Sequence, residues 1–283
     1  MGNLYVVATP IGNLNDLSPR AVETLKNSDL ILVEDTRQTI KLLNYFDIKT
    51  KMVSYHKFNE NKRTEEIIQD LKNGKNISLV SDAGTPCISD PGYILVKCAR
   101  ENGINVIGVP GCSAFVTALS VGGLDTSSFT FYGFVPSENK EKKALYEDIK
   151  YSGVSTKILY ESPKRILKLL KELINEIPGS IVCVCSELTK LHEKSFYGKI
   201  EDVYEKMSNY PSIEKGEYVI LLSNEPIKEQ KDDNLSIEAL IIDEMVKSNC
   251  TIKDAVNIIN TKNKDISKKE IYNASLKIKE LLK

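Results

Sequence analysis

The chain lacks most of the patterns that mark common functional classes. It has no tryptophan, no Cys-x-x-Cys pair among its six cysteines, and neither GxGxxG nor a P-loop motif. The usual dinucleotide-binding and P-loop interpretations are therefore excluded. No apolar run approaches the about 18 residues of a membrane span. The net charge of −1 gives no overall attraction to nucleic acid or membrane, so a polyanionic partner must meet a local patch.

The two histidines and the candidate nucleophiles fit no catalytic motif. His192 does not begin an HExxH motif, because Phe196 stands where the second histidine would be. We therefore expect no metal site. The turn before Ser113 is not a nucleophile elbow, since GxSxG would require glycine at Phe115. A hydrolase that uses Cys112 or Ser113 is a weak alternative, and Ser113 is better interpreted as a helix N-cap beside a ligand.

The length of 283 residues is enough for two domains, or for two and a small appendage, and the pattern of elements predicts an α/β protein. Over residues 1–118, short apolar runs alternate with amphipathic stretches, which is typical of βαβ units and a mostly parallel sheet. Over residues 119–226 strands outnumber helices, which predicts a second α/β domain with a mixed sheet. A polar, lysine-rich linker follows, and residues 234–283 have the pattern of a helical C-terminal domain.

Polar clusters follow several predicted strands, where open α/β sheets build ligand sites. The loop Ser81–Gly92 carries two glycines, two prolines and two aspartates in twelve residues. Glu34 and Asp35 follow the second strand with Arg37 beside them, and Pro10–Gly12 follows the first. Because these clusters end strands of one half of the chain, we expect them to share one edge of a sheet. The sequence therefore predicts a ligand site there.

Two further segments have the composition of an RNA contact. The loop from Ser54 to Arg63 joins aromatic, cationic and amide side chains, which suits single-stranded RNA. From Val246 to Lys283, nine lysines stand against four acidic residues, a net charge of +5. That tail is either a phosphate-contacting appendage with salt-dependent affinity or a solvated face of a lysine-rich protein.

Seven motifs in one order resemble the ribosomal RNA small subunit methyltransferase I family of the tetrapyrrole methylase superfamily. They are Leu4–Leu14, Glu34-Asp35-Thr36-Arg37, Ser54-Tyr55-His56 with Asn59-Glu60 and Arg63, Ser81–Gly92, Pro110-Gly111, Tyr160-Glu161-Ser162-Pro163 and Glu187-Leu188-Thr189-Lys190. The resemblance covers residues 4–224 and fits the tail less well. This chain departs from the family pattern at Lys164, Ser186 and Cys112, where His, Arg and Pro are more usual.

The resemblance implies two α/β domains with S-adenosylmethionine (SAM) in the cleft between them. It also implies methyl transfer to the ribose 2'-hydroxyl of cytidine 1402, in the decoding centre of 16S rRNA, and a homodimer that acts on the 30S subunit. Two alternatives stay open. One is another methylase of the superfamily, acting on a tetrapyrrole or a modified protein side chain. The other is a non-catalytic RNA-binding factor of ribosome assembly.

The strand-end clusters supply candidates for each role. A 2'-hydroxyl is a poor nucleophile at neutral pH, so a base or a cation should assist it. Asp82, Glu34 and Asp35 are the candidate bases, and Lys190 or Arg37 is the candidate cation. The candidates for holding SAM are Pro10, Gly12, Asp82, Ala83, Gly84, Thr85, Ile88, Ser113, Ala114 and Glu161. The candidates for RNA contact are Arg37, His56, Asn59, Arg63, Lys164 and Arg165.

The predicted location follows from the start of the chain. The first predicted strand begins at Leu4, which leaves no room for a signal peptide. We therefore expect a cytoplasmic protein without membrane contact, whose cysteines are reduced.

Overall fold

The computed structural model describes residues 1–225, 236–262 and 266–281. The chain divides into two compact units, Met1–Ile227 and Lys228–Lys283. The first unit contains two five-stranded sheets, and the second is helical. The predicted domain boundaries at residues 118 and 226 stay predictions, and most of the predicted linker lies outside the described residues.

The first sheet, expected to be mostly parallel, is parallel throughout, with the strand order β3-β2-β4-β1-β5. Its strands are β1 Asn3–Val7, β2 Leu30–Val33, β3 Met52–Ser54, β4 Ile77–Leu79 and β5 Asn105–Val109. Along β2, Ile31 and Val33 pack into one core cluster and Leu32 into another. Both faces of the sheet are therefore covered, which explains the nearly continuous apolar strands.

Five helices follow these strands or precede the next one. They are α1 Pro19–Lys26, α2 Thr36–Tyr45, α3 Glu60–Lys72, α4 Tyr93–Glu101 and α5 Ala114–Val121. Two features mark the start of α1: the Ser18 hydroxyl accepts a hydrogen bond from Ala21 N at 3.1 Å, and Pro19 occupies the first turn.

The second sheet is mixed, as predicted, with the order β6-β7-β10-β8-β9. Only β6 and β7 pair in parallel. The strands are β6 Phe129–Phe134, β7 Thr156–Glu161, β8 Ile181–Ser186, β9 Lys194–Lys199 and β10 Tyr218–Ser223, and the helices are α6 Asn139–Tyr151, α7 Ile166–Glu176 and α8 Ile200–Ser208. Helix α8 was not predicted, because it begins directly after β9 and its N-cap residue, Lys199, makes no side-chain cap hydrogen bond.

The second unit consists of α9 Ile237–Ser248, α10 Ile252–Lys262 and α11 Lys268–Leu281. A reciprocal cap marks the start of α10, since the Thr251 and Asp254 side chains accept hydrogen bonds from each other's backbone N–H groups at 3.4 Å. An apolar core holds the three helices together: Ile241, Ala255, Ile259, Ile271, Ala274 and Ile278. None of the described helices in either unit combines the length and apolar character needed to cross a membrane.

Candidate active site

The first unit contains a cavity of about 510 Å³ at the strand ends of both sheets. It brings together nine of the residues proposed from the sequence: Asp82, Ala83, Gly84, Thr85, Ile88, Ser113, Ala114, Glu161 and Lys190. The wall also contains residues to which the sequence analysis assigned no role, although several belong to its motifs: Ile11, Ser89, Asp90, Phe134, Tyr160, Ser162, Pro163, Glu187, Leu188, Gly216, Glu217, Tyr218 and Val219. The roles of all these residues stay predictions.

A short backbone bridge fixes the floor of the cavity. Thr9 N donates to Gly84 O at 2.9 Å, and Gly84 N donates to Thr9 O at 3.1 Å. The Thr9 hydroxyl adds a hydrogen bond to Ser81 O at 3.1 Å. Gly84 has φ +82°, a conformation that a side chain would strain. The turn after β1 is thereby tied to the Ser81–Gly92 loop, and their backbones lie against the cavity.

Three carboxyl groups at this strand edge influence one another. Partial burial raises the pKa of Glu34, and the nearby Asp90 and Asp82 raise it further. Partial burial also raises the pKa of Asp82 and that of Asp90. Asp82 and Asp90 line the cavity, whereas Glu34 does not. A carboxylate with a raised pKa is a stronger base, so Asp82 has the chemistry expected of a proton acceptor.

Asp35 has the opposite environment. Its carboxylate binds the Arg37 guanidinium at 2.6 Å, and this pairing lowers the pKa of Asp35 to about 2. It also caps α2 by accepting from Arg37 N at 2.8 Å. Asp35 N, in turn, donates to Asp82 Oδ1 at 3.1 Å. Asp35 is therefore placed to position Asp82 and is a weak base itself.

The substitution Glu34→Gln should stabilise the protein at neutral pH. Because the folded pKa of Glu34 is raised, ionisation of this group opposes folding above its ordinary pKa. We expect a gain of up to about 1 kcal/mol at pH 7, or about 2–4 °C in Tm, that disappears at low pH where Glu34 is protonated. Thermal unfolding between pH 4 and pH 8 measures it, with the exposed Glu66→Gln as control. A gain at acid pH and none at neutral pH would contradict the argument.

Lys190 enters the cavity through an unusual turn after β8. Its ammonium pairs with the Glu187 carboxylate at 2.8 Å, and both side chains line the cavity. Glu187 and Thr189 have φ of +54° and +67°, which is rare for residues other than glycine and marks a strained turn. Gly12 is exposed outside the cavity wall, and a Cβ there would lie 2.5 Å from Lys190 Cγ. Gly12 thus makes room for the lysine.

Tyr160 contributes a hydroxyl to the cavity wall, a role that its sequence motif did not indicate. Its oxygen accepts a hydrogen bond from Phe115 N, in the first turn of α5, at 3.1 Å. Burial raises the pKa of Tyr160 to about 12. The hydroxyl proton therefore stays in place at neutral pH, where it can donate to a ligand in the cavity.

Glu161 and Arg165 form the most buried ion pair of this region. The Glu161 side chain is 2% exposed and accepts from Arg165 at 2.8 Å. Arg165 also donates to Ser137 Oγ at 2.9 Å and to Val135 O at 3.2 Å. These bonds join the start of α7 to the segment after β6, so Arg165 has a structural role. Its contact with RNA stays a prediction.

The other RNA candidates lie outside the cavity wall. Arg37 is almost fully exposed, and Lys164 is exposed. His56 and Asn59 bond to each other, since His56 N donates to Asn59 Oδ1 at 2.8 Å. Arg63 is half-buried on α3. Pro10, one of the SAM candidates, is buried beside the cavity wall instead of lining it.

A family model matches most of the chain, and several solved structures share its fold. The model described as Tetrapyrrole (Corrin/Porphyrin) Methylases matches residues 3–204, so the chain belongs to the tetrapyrrole methylases. Diphthine synthase superposes with a TM-score of 0.61 at 13% identity, over 79% of this chain and 90% of that one. Uroporphyrin-III-C-methyltransferase from Thermus thermophilus gives 0.54 at 18% identity, over 79% and 94%. At these identities the likeness shows the fold alone.

Relatives in sequence identify the family within the tetrapyrrole methylases to which this chain belongs. "Ribosomal RNA small subunit methyltransferase I" of Halalkalibacterium halodurans is 41% identical over 96% of this chain and 94% of its own length. The protein of the same name from Bacillus subtilis is 38% identical over 97% and 94%. The chain therefore belongs to the ribosomal RNA small subunit methyltransferase I family and is a SAM-dependent methyltransferase.

The cavity wall suits SAM, which carries a base, a ribose and a charged amino acid. Apolar groups from Ile11, Leu188 and Val219 can cover the base, and the Asp82 and Asp90 carboxylates can accept from hydroxyl or ammonium groups. The backbone around Gly84 can approach closely, because no side chain intervenes there.

Proposed function

We propose that the protein transfers a methyl group from SAM to the ribose 2'-hydroxyl of a cytidine in the decoding centre of 16S rRNA, position 1402 by resemblance. The observation that carries the proposal is the identity of 38–41% to proteins named for small-subunit rRNA methylation, over almost the whole chain. The cavity supports it, because both the Asp82 carboxylate and the Lys190 side chain line it.

SAM supplies a methyl group on a sulfonium, which is already a good leaving group. The protein must hold the ribose in line with that methyl group and help the hydroxyl lose its proton. Orientation alone can supply an effective molarity of about 10⁵–10⁸ M. The two glycine-bearing turns, at Gly12 and Gly84, and the Thr9–Gly84 bridge give the rigid frame that such orientation needs.

In this proposal, Asp82 accepts the proton of the 2'-hydroxyl. Its Oδ1 accepts a hydrogen bond from Asp35 N, which leaves Oδ2 to take the proton, and its raised pKa makes it a better base than an ordinary aspartate. Lys190 stabilises the negative charge that develops on the ribose oxygen. Glu187 holds Lys190 in place through their ion pair.

Methyl transfer to purified 30S subunits that lack the modification tests the proposal. Labelled SAM is the donor, and the modified nucleoside is mapped by mass spectrometry. A 2'-O-methylated cytidine in 16S rRNA is the expected product. Label in uroporphyrinogen III and none in RNA would favour another methylase of the superfamily, and failure to bind SAM would favour a non-catalytic role. Naked 16S rRNA in the same assay distinguishes free RNA from the assembled subunit as substrate.

We further propose that the chain works in the cytoplasm as a homodimer, and that the lysine-rich tail contacts rRNA phosphates. Light scattering of the purified protein tests the dimer: twice the chain mass supports it and a single chain mass overturns it.

Replacing Lys268 and Lys269 by serine should weaken RNA binding in a salt-dependent way. Both are exposed in the first turn of α11, where positive charge is unfavourable to the helix, so their loss should not unfold it. If both contact phosphates, the slope of log affinity against log salt should fall by about two. Lys140 and Lys143, exposed at the start of α6, provide a matched control pair. If the slope is unchanged, or if it changes equally in the control pair, the tail does not contact the RNA.

A further inference from the structure

A second cavity of about 360 Å³ adjoins the first and has no part in the mechanism above. It is lined by Ile88, Ser89 and residues 131–134 at the end of β6. Ile88, Ser89 and Phe134 line both cavities. The two cavities therefore share one wall, and a molecule that spans them would pass over Phe134.

An irregularity in β6 turns Phe134 toward this wall. Phe131 pairs with Ile158 of β7, but the next pair is Gly133 with Leu159, so Tyr132 is an extra residue. One extra residue reverses the alternation of side chains beyond it. Phe134 consequently faces Tyr160, with ring centroids 5.4 Å apart, on the same side of the sheet as Phe131. Gly133 has φ +70°, which glycine adopts without strain.

The ring that results is unusually open for a cavity wall. Phe134 is 58% exposed, and Ile88 beside it is 48% exposed. Phe131, by contrast, is covered by Phe115, which stacks on it at 4.7 Å and 19°. The Ser89 hydroxyl adds a polar group to the same cavity. An open aromatic ring, an aliphatic side chain and one hydroxyl match a flat ligand with an apolar face and a polar edge.

We propose that this second cavity binds the base of the acceptor nucleotide, stacked on Phe134, while its ribose lies toward the first cavity. The inference rests on the proposed function, because it requires an RNA substrate. Proteins hold single-stranded or unstacked bases against aromatic and apolar side chains. Because the two cavities share a wall, a base in the second cavity would leave its attached ribose at the first cavity, where the 2'-hydroxyl can meet Asp82.

Phe134→Leu, compared with Phe129→Leu, tests the stacking. Phe129 lies on the same strand and is 46% exposed, but it lines neither cavity. We expect kcat/KM for 30S subunits to fall about tenfold in Phe134→Leu, as loss of about 1.4 kcal/mol of stacking would produce. Phe129→Leu should change it less than twofold, Phe134→Trp should restore it, and the SAM dissociation constant should stay constant throughout.

A second measurement does not depend on turnover. With S-adenosylhomocysteine present, NMR should detect saturation transfer from the protein to the base protons of cytidine 5'-monophosphate in the wild type and in Phe129→Leu. In Phe134→Leu this transfer should be lost. Equal behaviour of the two leucine variants, or weaker SAM binding by Phe134→Leu, overturns the inference. The proposed function fails separately, when the wild type transfers no methyl to RNA.

Discussion

Replacing Asp82 by asparagine is expected to lower kcat by about 10²–10⁴, the contribution of a general base. Asparagine has the size of aspartate, and its side-chain oxygen can still accept from Asp35 N, so the Ser81–Gly92 loop should keep its shape. What the variant loses is the proton-accepting carboxylate. Steady-state kinetics with 30S subunits measure kcat, and calorimetry measures the SAM dissociation constant.

The same pair of measurements separates two predicted roles of Asp82. If it holds SAM, the dissociation constant rises and kcat at saturation is retained; if it is the base, kcat falls and binding changes little. Asp35→Asn is the control, because a carboxylate with a pKa of about 2 is a weak base. We expect kcat to fall by less than about tenfold in this control. A deeper loss in Asp35→Asn than in Asp82→Asn would transfer the role of base to Asp35.

The pH dependence of kcat gives a further check on this assignment. A base must be deprotonated to act, so activity should fall as the pH drops through the pKa of Asp82. Because partial burial raises that pKa, the fall should begin at a higher pH than for an ordinary aspartate. The residual activity of Asp82→Asn should lack this acid limb.

Local features of the site could be predicted from the sequence, because they depend on residues close together in the chain. The Ser81–Gly92 loop follows a short apolar strand and carries the glycines that its turns need, and it does form the cavity wall. The cap at Ser18 and the parallel first sheet follow from equally local patterns. Each of these was visible from residue type and spacing alone.

Contacts between distant segments could not be predicted in this way. Gly12 makes room for Lys190, and Gly216 makes room for Glu187, although neither pair is close in sequence. The exposure of Phe134 depends on a one-residue slip between two strands, which composition does not reveal. The strained turn at Glu187 and Thr189 could not be predicted from the sequence either, since neither residue type favours positive φ.

Replacing Lys190 by alanine is expected to lower kcat by about 10²–10³, as removal of one group that stabilises a developing anion does elsewhere. The SAM dissociation constant should change far less, because the lysine acts on the ribose oxygen in the transition state. Alanine also leaves the Glu187 carboxylate without its partner, which adds a repulsive charge beside that oxygen. Lys190→Met removes the cation and unpairs Glu187 but keeps most of the alkyl chain that lies against Gly12. It therefore separates these electrostatic effects from the loss of packing in Lys190→Ala.

Gly216 offers an independent way to disturb the same ion pair. A Cβ at this position would overlap the Glu187 carboxylate, so Gly216→Ala should push Glu187 away from Lys190 while both charges remain. If Lys190 stabilises the anion and Glu187 only positions it, kcat should fall less in Gly216→Ala than in Lys190→Met, and Lys190→Arg should recover part of the activity. Equal losses of kcat and SAM affinity in Lys190→Met would instead make this lysine a cofactor-binding group, and the developing charge would need another partner in the cavity.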